Sequence, residues 1–298
     1  MQSTEESQVV IDVSDISDDA RIVPVAAPDP TYPSIWQSFG ILLIFLLCMI
    51  AATPIMLVVG PLDADIAMLL CYSVAGGLTF AIVHAIRSRK TGHSTYCFRI
   101  ESGKLIIPLI LTSMALLLGV ILPLISLIPM PREVSESFAK SLGRPSLVIF
   151  VTLVIAAPIL EELLFRGIML DGLLNRYRPL TAILVSSIIF GIAHLNPWQF
   201  VTAFVIGCFA GWVYLRTKSV GPCILIHATV NCCAYLLQVL ASGVNISSQT
   251  QESQISWPEF LVFPAMCLLV IFASVHYLQQ EFNRTELAQA DEKDTLIS

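Results

Sequence analysis

The chain has 298 residues, of which 56% are hydrophobic and 13% charged, about half the ~25% charged content of soluble domains, which excludes an ordinary soluble fold. The net charge of -6 sits at the ends: residues 1–34 hold seven acidic side chains and one basic, residues 280–298 five and two, leaving 35–279 at +3. A basic nucleic-acid footprint and an acidic solvating body are both excluded by this placement, so no nucleic-acid partner is expected.

A helix that crosses a bilayer needs roughly 20 apolar residues at ~1.5 Å rise each. Residues 1–34 read as an acidic, disordered tail. They lack a basic n-region, so the apolar run that begins near Ile35 is expected to persist as a helix rather than act as a signal peptide. Eight spans follow in chain order, near 35–59, 65–86, 105–128, 146–170, 180–195, 198–215, 219–241 and 257–279, with the fifth and sixth parted only by the Asn196-Pro197-Trp198 turn. Residues 280–298 form a short polar tail. The expected fold is therefore an all-α integral membrane domain over 35–279, surrounded by lipid bilayer, with two polar tails.

An even number of spans puts both termini on one side. That side carries 13 of the arginines and lysines, against Arg132, Lys140 and Arg144 on the other. The positive-inside rule then makes both termini cytoplasmic, in a bacterial cell membrane if the source is prokaryotic and in the endoplasmic reticulum if eukaryotic. Of the eight cysteines only Cys97 lies outside an apolar stretch, and none has the paired spacing of a zinc site. They read as small buried hydrophobes.

Ionisable side chains inside apolar spans cost about 2.5 to 3.5 kcal/mol each on insertion scales, and so mark function. They concentrate in three spans: Glu161, Glu162 and Arg166 in the fourth, His194 in the fifth, His227 with Asn231 in the seventh. Glu162 and Arg166 stand four apart and predict an ion pair on one helical face. Glu161 lies about 100° around the helix, without a cation four residues on, and is the carboxylate expected to face a cavity. Burial and Glu162 act on its protonation against Arg166 and any nearby histidine, and the spacing leaves the balance open. Pro158 predicts a kink that makes room beside the pair. Phe190 and His194 share a face, as do His227 and Asn231. A water between Glu161 and His194 would be set for attack on a carbonyl, with His227 and Asn231 donating to the oxyanion.

Glu161-Glu162-x-x-x-Arg166, Phe190-x-x-x-His194 and His227-x-x-x-Asn231, in this order on successive apolar spans, resemble the CPBP family, also called ABI, of CAAX prenyl endopeptidases and bacteriocin-processing or self-immunity proteins. The likeness runs from Pro158 to Asn231. It implies a helical intramembrane glutamate endopeptidase without metal or other cofactor, acting on a membrane-associated or lipidated peptide substrate, in some members a prenylated CAAX-type C-terminus. It further implies that Glu161 and His194 activate water, that His227 and Asn231 bind the oxyanion, and that Glu162 and Arg166 support them. Access from the cytoplasmic half of the membrane is expected.

Three other readings remain open on the residues. Two histidines and a carboxylate, His194, His227 and Glu161, can hold a catalytic zinc, although no His-Glu-x-x-His helix is present. A proton-coupled transporter would use buried carboxylates too, but its repeated halves are not evident. A non-catalytic scaffold or immunity-type protein would keep the polar cluster for structure alone.

Overall fold

The computed structural model describes residues 31–142, 145–243 and 257–297. The expected N-terminal tail, apart from Thr31–Ser34, and Arg144 of the charge count lie outside these residues. Among the described residues the regular structure is helical throughout. The helices are α1 (Ile35–Val59), α2 (Ala64–Thr91), α3 (Gly103–Ser126), α4 (Arg132–Leu142), α5 (Leu147–Leu174), α6 (Pro179–Ala193), α7 (Pro197–Thr217), α8 (Val220–Gly243) and α9 (Trp257–Ile297).

Seven of these are long and apolar enough to cross a membrane: α1, α2, α3, α5, α7, α8 and α9. The chain is an all-α, multi-pass integral membrane protein. The fifth expected span, α6, has 15 residues, roughly 22 Å of helix, less than the ~30 Å of a bilayer core. Pro179 opens it, and the turn before Pro197 closes it. The last helix continues past the expected end of its span to Ile297. Helix α4, in a segment expected to be a loop, is a short helix outside the spanning set.

Local chemistry sets the ends of these helices. Ser34 caps α1 in a reciprocal arrangement with Gln37, and the Asp63 carboxylate accepts the first free amides of α2, from Asp65 and Ile66. Gly92, at φ 73°, stops α2 in the left-handed region that glycine enters without strain. Asn196 caps α7, with Pro197 at its first position.

Helix α5 is the centre of the bundle, packed by α2, α6 and α8. Every residue from Leu163 to Leu170 is buried. By contrast α1 and α9 leave large apolar side chains uncovered, among them Leu43, Leu47, Leu269 and Phe272, as a lipid-facing surface requires. Two stretches of α5, Thr152–Ala156 and Leu163–Leu170, are wound as π-helix. The first ends just before Pro158, which cannot donate to the ladder, and wider winding is a common accommodation near functional sites.

One end of the bundle holds the start of α1 and the C-terminal half of α9. The backbone of Tyr32 packs so closely on Gly172 that a Cβ there would collide with the Tyr32 carbonyl. Trp212 of α7 meets Phe282 of α9 at 5.5 Å between ring centres. At this end Arg87 donates to the Gly167 carbonyl (2.9 Å) and to Asp171 (2.7 Å), which also accepts from the Tyr214 hydroxyl (3.1 Å). That network ties α2, α5 and α7 together, so Arg87 is a buried structural cation rather than a free surface charge. Beside it, burial raises the Tyr96 phenol above its usual range, with Arg87 opposing.

The other end joins α1 to α2, α6 to α7 and the start of α5 to α8. There the Tyr235 hydroxyl accepts from the Ser146 amide (2.8 Å) and donates to its carbonyl (3.0 Å). Ser146 also donates to Asp65 at 2.6 Å.

Candidate active site

Glu161 and Glu162 leave the central helix in different directions, as their 100° separation requires. Glu162 points into the interior, where it and Arg166 are 0% and 1% exposed. One carboxylate oxygen, Oε1, accepts from Arg166 Nη1 at 3.0 Å and faces His227 Nδ1 at 2.9 Å. The predicted ion pair is therefore present, extended by a histidine from α8.

A cation this deep needs more than one partner. The Arg166 guanidinium lies 4.5 Å from the centre of the Phe190 ring, a cation–π arrangement that partly replaces lost hydration. Phe190 also meets Phe165, His194 and His227 with ring centres 4.8, 5.2 and 5.7 Å apart. This phenylalanine, given no role from the sequence, spaces the three polar motifs.

Glu161 faces a cavity of about 550 Å³ that is also lined by His194, His227 and Asn231. The structure thus gathers all four residues expected to be catalytic, with Glu162 and Arg166 set behind them. Glu161 Oε1 accepts a hydrogen bond from the Tyr72 hydroxyl of α2. Among the described residues its other oxygen, Oε2, has no hydrogen-bond partner. His227 Nε2 is 3.8 Å from Oε2, close enough for charge to be felt but too long for a hydrogen bond. Among the described residues Glu161 bonds to Tyr72 and not to His194, which it meets across the cavity.

Hydrogen-bond partners fix the tautomers of both histidines. His194, at the C-terminal cap of α6, places Nδ1 3.0 Å from the Phe190 carbonyl. A carbonyl only accepts, so Nδ1 carries a proton, and in the neutral ring Nε2 holds a lone pair. For His227 the shared oxygen of Glu162 already accepts from Arg166, so His227 Nδ1 also donates. Its Nε2 is then a lone pair in the neutral ring, and becomes a donor only in the imidazolium. Asn231 spends one amide proton on the Leu153 carbonyl of the first π-wound stretch, at 2.8 Å. The second amide proton is left for another acceptor.

Among the described residues, no group of three or more histidine, cysteine, aspartate or glutamate side chains is arranged to hold a metal ion. The three residues considered for zinc are not gathered as ligands. Tyr72 was not singled out in the sequence: a tyrosine in an apolar span carries no charge signal, and Glu161 is 89 positions away.

The cavity also differs from expectation in direction. Its wall extends to Met68, Thr152, Leu195, Gln199, Tyr235 and Gln238, all toward the end of the bundle opposite the termini, whereas access was expected from the side of the termini.

Residues 143–233 match the family described as type II CAAX prenyl endopeptidase Rce1-like. The kinship read from the three motifs holds over this segment, which contains all of them. A relative from Bacillus subtilis (strain 168), named "Putative membrane peptidase YdiL", is 30% identical over 101 residues, covering 34% of this chain and 41% of that protein. The chain thus spans about two fifths of the length of the curated relative it matches. No solved structure matches.

Proposed function

We propose that the chain is an intramembrane endopeptidase that hydrolyses a peptide bond of a membrane-associated substrate with water activated by Glu161, without metal. The observation that supports this most is the unpartnered Oε2 of Glu161, facing the same cavity as His194, His227 and Asn231. A lone pair there can take a proton from water, while the lone pair on His194 Nε2 orients it from across the cavity.

In the proposed reaction the water oxygen bonds to the carbonyl carbon as its proton passes to Glu161. The carbonyl π electrons move to oxygen, and that oxyanion is met by the free Asn231 amide proton and by His227 Nε2–H in the imidazolium form. Glu162 holds the ring through Nδ1, and Arg166 pairs with the same Glu162 oxygen. As the C–N bond breaks, Glu161 returns the proton to the leaving nitrogen. Tyr72 holds the other oxygen of Glu161 throughout. Both termini are proposed to be cytoplasmic on the strength of the arginine and lysine asymmetry.

The test is cleavage by purified wild type, Glu161→Ala and His194→Ala in detergent. Each is given a prenylated CAAX peptide and an unprenylated membrane-helix peptide, with and without a zinc chelator. The proposal expects cleavage by wild type, loss in both variants and no chelator effect. Chelator sensitivity would favour zinc, activity in Glu161→Ala would remove the base, and an inactive wild type would favour a scaffold.

A further inference from the structure

The direction of the cavity bears on which polypeptides can reach Glu161, a question that rests on the endopeptidase reading above. Below the site, toward the termini, the bundle is closed. Phe165 and Phe190 are each 1% exposed, and Ile168, Met169, Leu170 and Leu173 are fully buried beneath them. The Glu162–Arg166 pair fills the space between. Further down, the Arg87–Asp171–Tyr214 network ties three helices together, and the Cys97 carbonyl accepts from the Val220 amide (2.8 Å) and the Ser219 hydroxyl (3.1 Å) at the start of α8. Phe165 and Phe190 form the floor of the cavity, and among the described residues no α5 residue beyond Phe165 lines it.

Above the site the wall runs outward. Met68 is in the second turn of α2, Thr152 in the second turn of α5, Gln199 in the first turn of α7 and Gln238 within two turns of the end of α8. Three of the lining residues, Leu195, Gln199 and Ala234, are exposed, with Leu195 at 73%. Leu195 belongs to the turn after the short helix α6 and Gln199 to the first turn of α7; α6 places His194 at its own C-terminal cap and so brings the active site to the base of this opening.

The start of α1, the C-terminal half of α9 and most of the described arginines and lysines lie at the opposite end. We infer that the substrate reaches Glu161 from the extracytoplasmic side, as a polypeptide segment of an exported or membrane-anchored protein presented at that face. A C-terminus prenylated in the cytoplasm is anchored in the other leaflet and is not presented to this opening. Among the described residues, Glu161, His194 and His227 are the only ionisable groups of the wall apart from its tyrosines. Recognition above the site therefore falls to backbone hydrogen bonding and apolar contact rather than charge.

Cysteine labelling in right-side-out bacterial membrane vesicles that carry the full chain tests this without requiring activity. Gln199→Cys places a thiol on the opening, and Cys97, exposed at the other end, is a natural reference. A membrane-impermeant maleimide, with modified sites read by peptide mapping, should label position 199 in sealed vesicles and Cys97 only after permeabilisation. Labelling of Cys97 but not position 199 in sealed vesicles, or of both alike, would overturn the inference. In parallel, the unprenylated peptide supplied outside sealed vesicles should be cut in right-side-out and spared in inside-out preparations; the reverse would also overturn it. Absence of cleavage in every preparation, including detergent, would count against the endopeptidase reading, while the labelling would still decide the direction of access.

Discussion

His227 Nδ1 lies 2.9 Å from the Glu162 oxygen that Arg166 also binds, so the ring is held as an Nδ1–H donor with Nε2 directed toward Glu161. In this arrangement oxyanion binding by His227 requires the imidazolium, and removing the ring removes a charged donor. His227→Ala should lower kcat about 10²- to 10³-fold, the range for losing one oxyanion donor, with KM largely retained. Steady-state kinetics on the peptide cleaved by wild type provides the check; a change confined to KM would place His227 in substrate binding instead.

The Glu162–Arg166 pair should be worth more to stability broken than replaced. Arg166→Met or Glu162→Gln alone leaves a buried charge without its partner, at a cost of about 3–5 kcal/mol. The double variant should recover part of that loss. Thermal unfolding of all four forms in one detergent measures the coupling, and additive losses would show that the two side chains act independently.

Tyr72 donates to the carboxylate proposed as the base. Tyr72→Phe keeps the ring and removes only this hydrogen bond, worth about 1.5 kcal/mol or more when the acceptor is charged. Without that hold the carboxylate is free to turn from the attacking water, and kcat should fall, by up to about a hundredfold for a misplacement of ~1 Å, with little change in unfolding temperature. An unaltered kcat would reduce the contact to packing.

Phe190 is expected to matter through its ring. Phe190→Ala should cost about 3–5 kcal/mol of stability, as for other buried aromatics, and lower kcat by releasing His194 and Arg166. Phe272→Ala, on the lipid-facing surface of α9, is the control and should change unfolding temperature little. Equal shifts for the two would contradict the assignment of Phe190 as the spacer of the site.

The sequence made the spans legible because apolar runs bounded by charge and proline have few alternatives in a bilayer. It also revealed the Glu162–Arg166 contact, since spacing by four on a helix dictates proximity. Tyr72 was not legible as part of the site, and Phe190 was legible only as a motif residue on the face of His194, because the contacts of both arise from packing between helices and neither carries a charge. Asn231 was read as an oxyanion donor, but half its donor capacity holds α8 to α5 through Leu153. The direction of the cavity was hidden for the same reason: motif spacing orders residues along each helix and says nothing of which end the neighbouring helices close. Helix α6 shows the limit of span counting, since two prolines set a length shorter than the membrane.

Glu161→Gln tests the central claim most directly. The substitution preserves size and the hydrogen bond from Tyr72 while removing the capacity to take a proton. Proton transfer by a positioned side chain contributes about 10² to 10⁴ in rate. The account predicts a kcat at least about a hundredfold below wild type, with an unchanged unfolding temperature. A folded Glu161→Gln protein that cleaves the same peptide at the wild-type rate would contradict it.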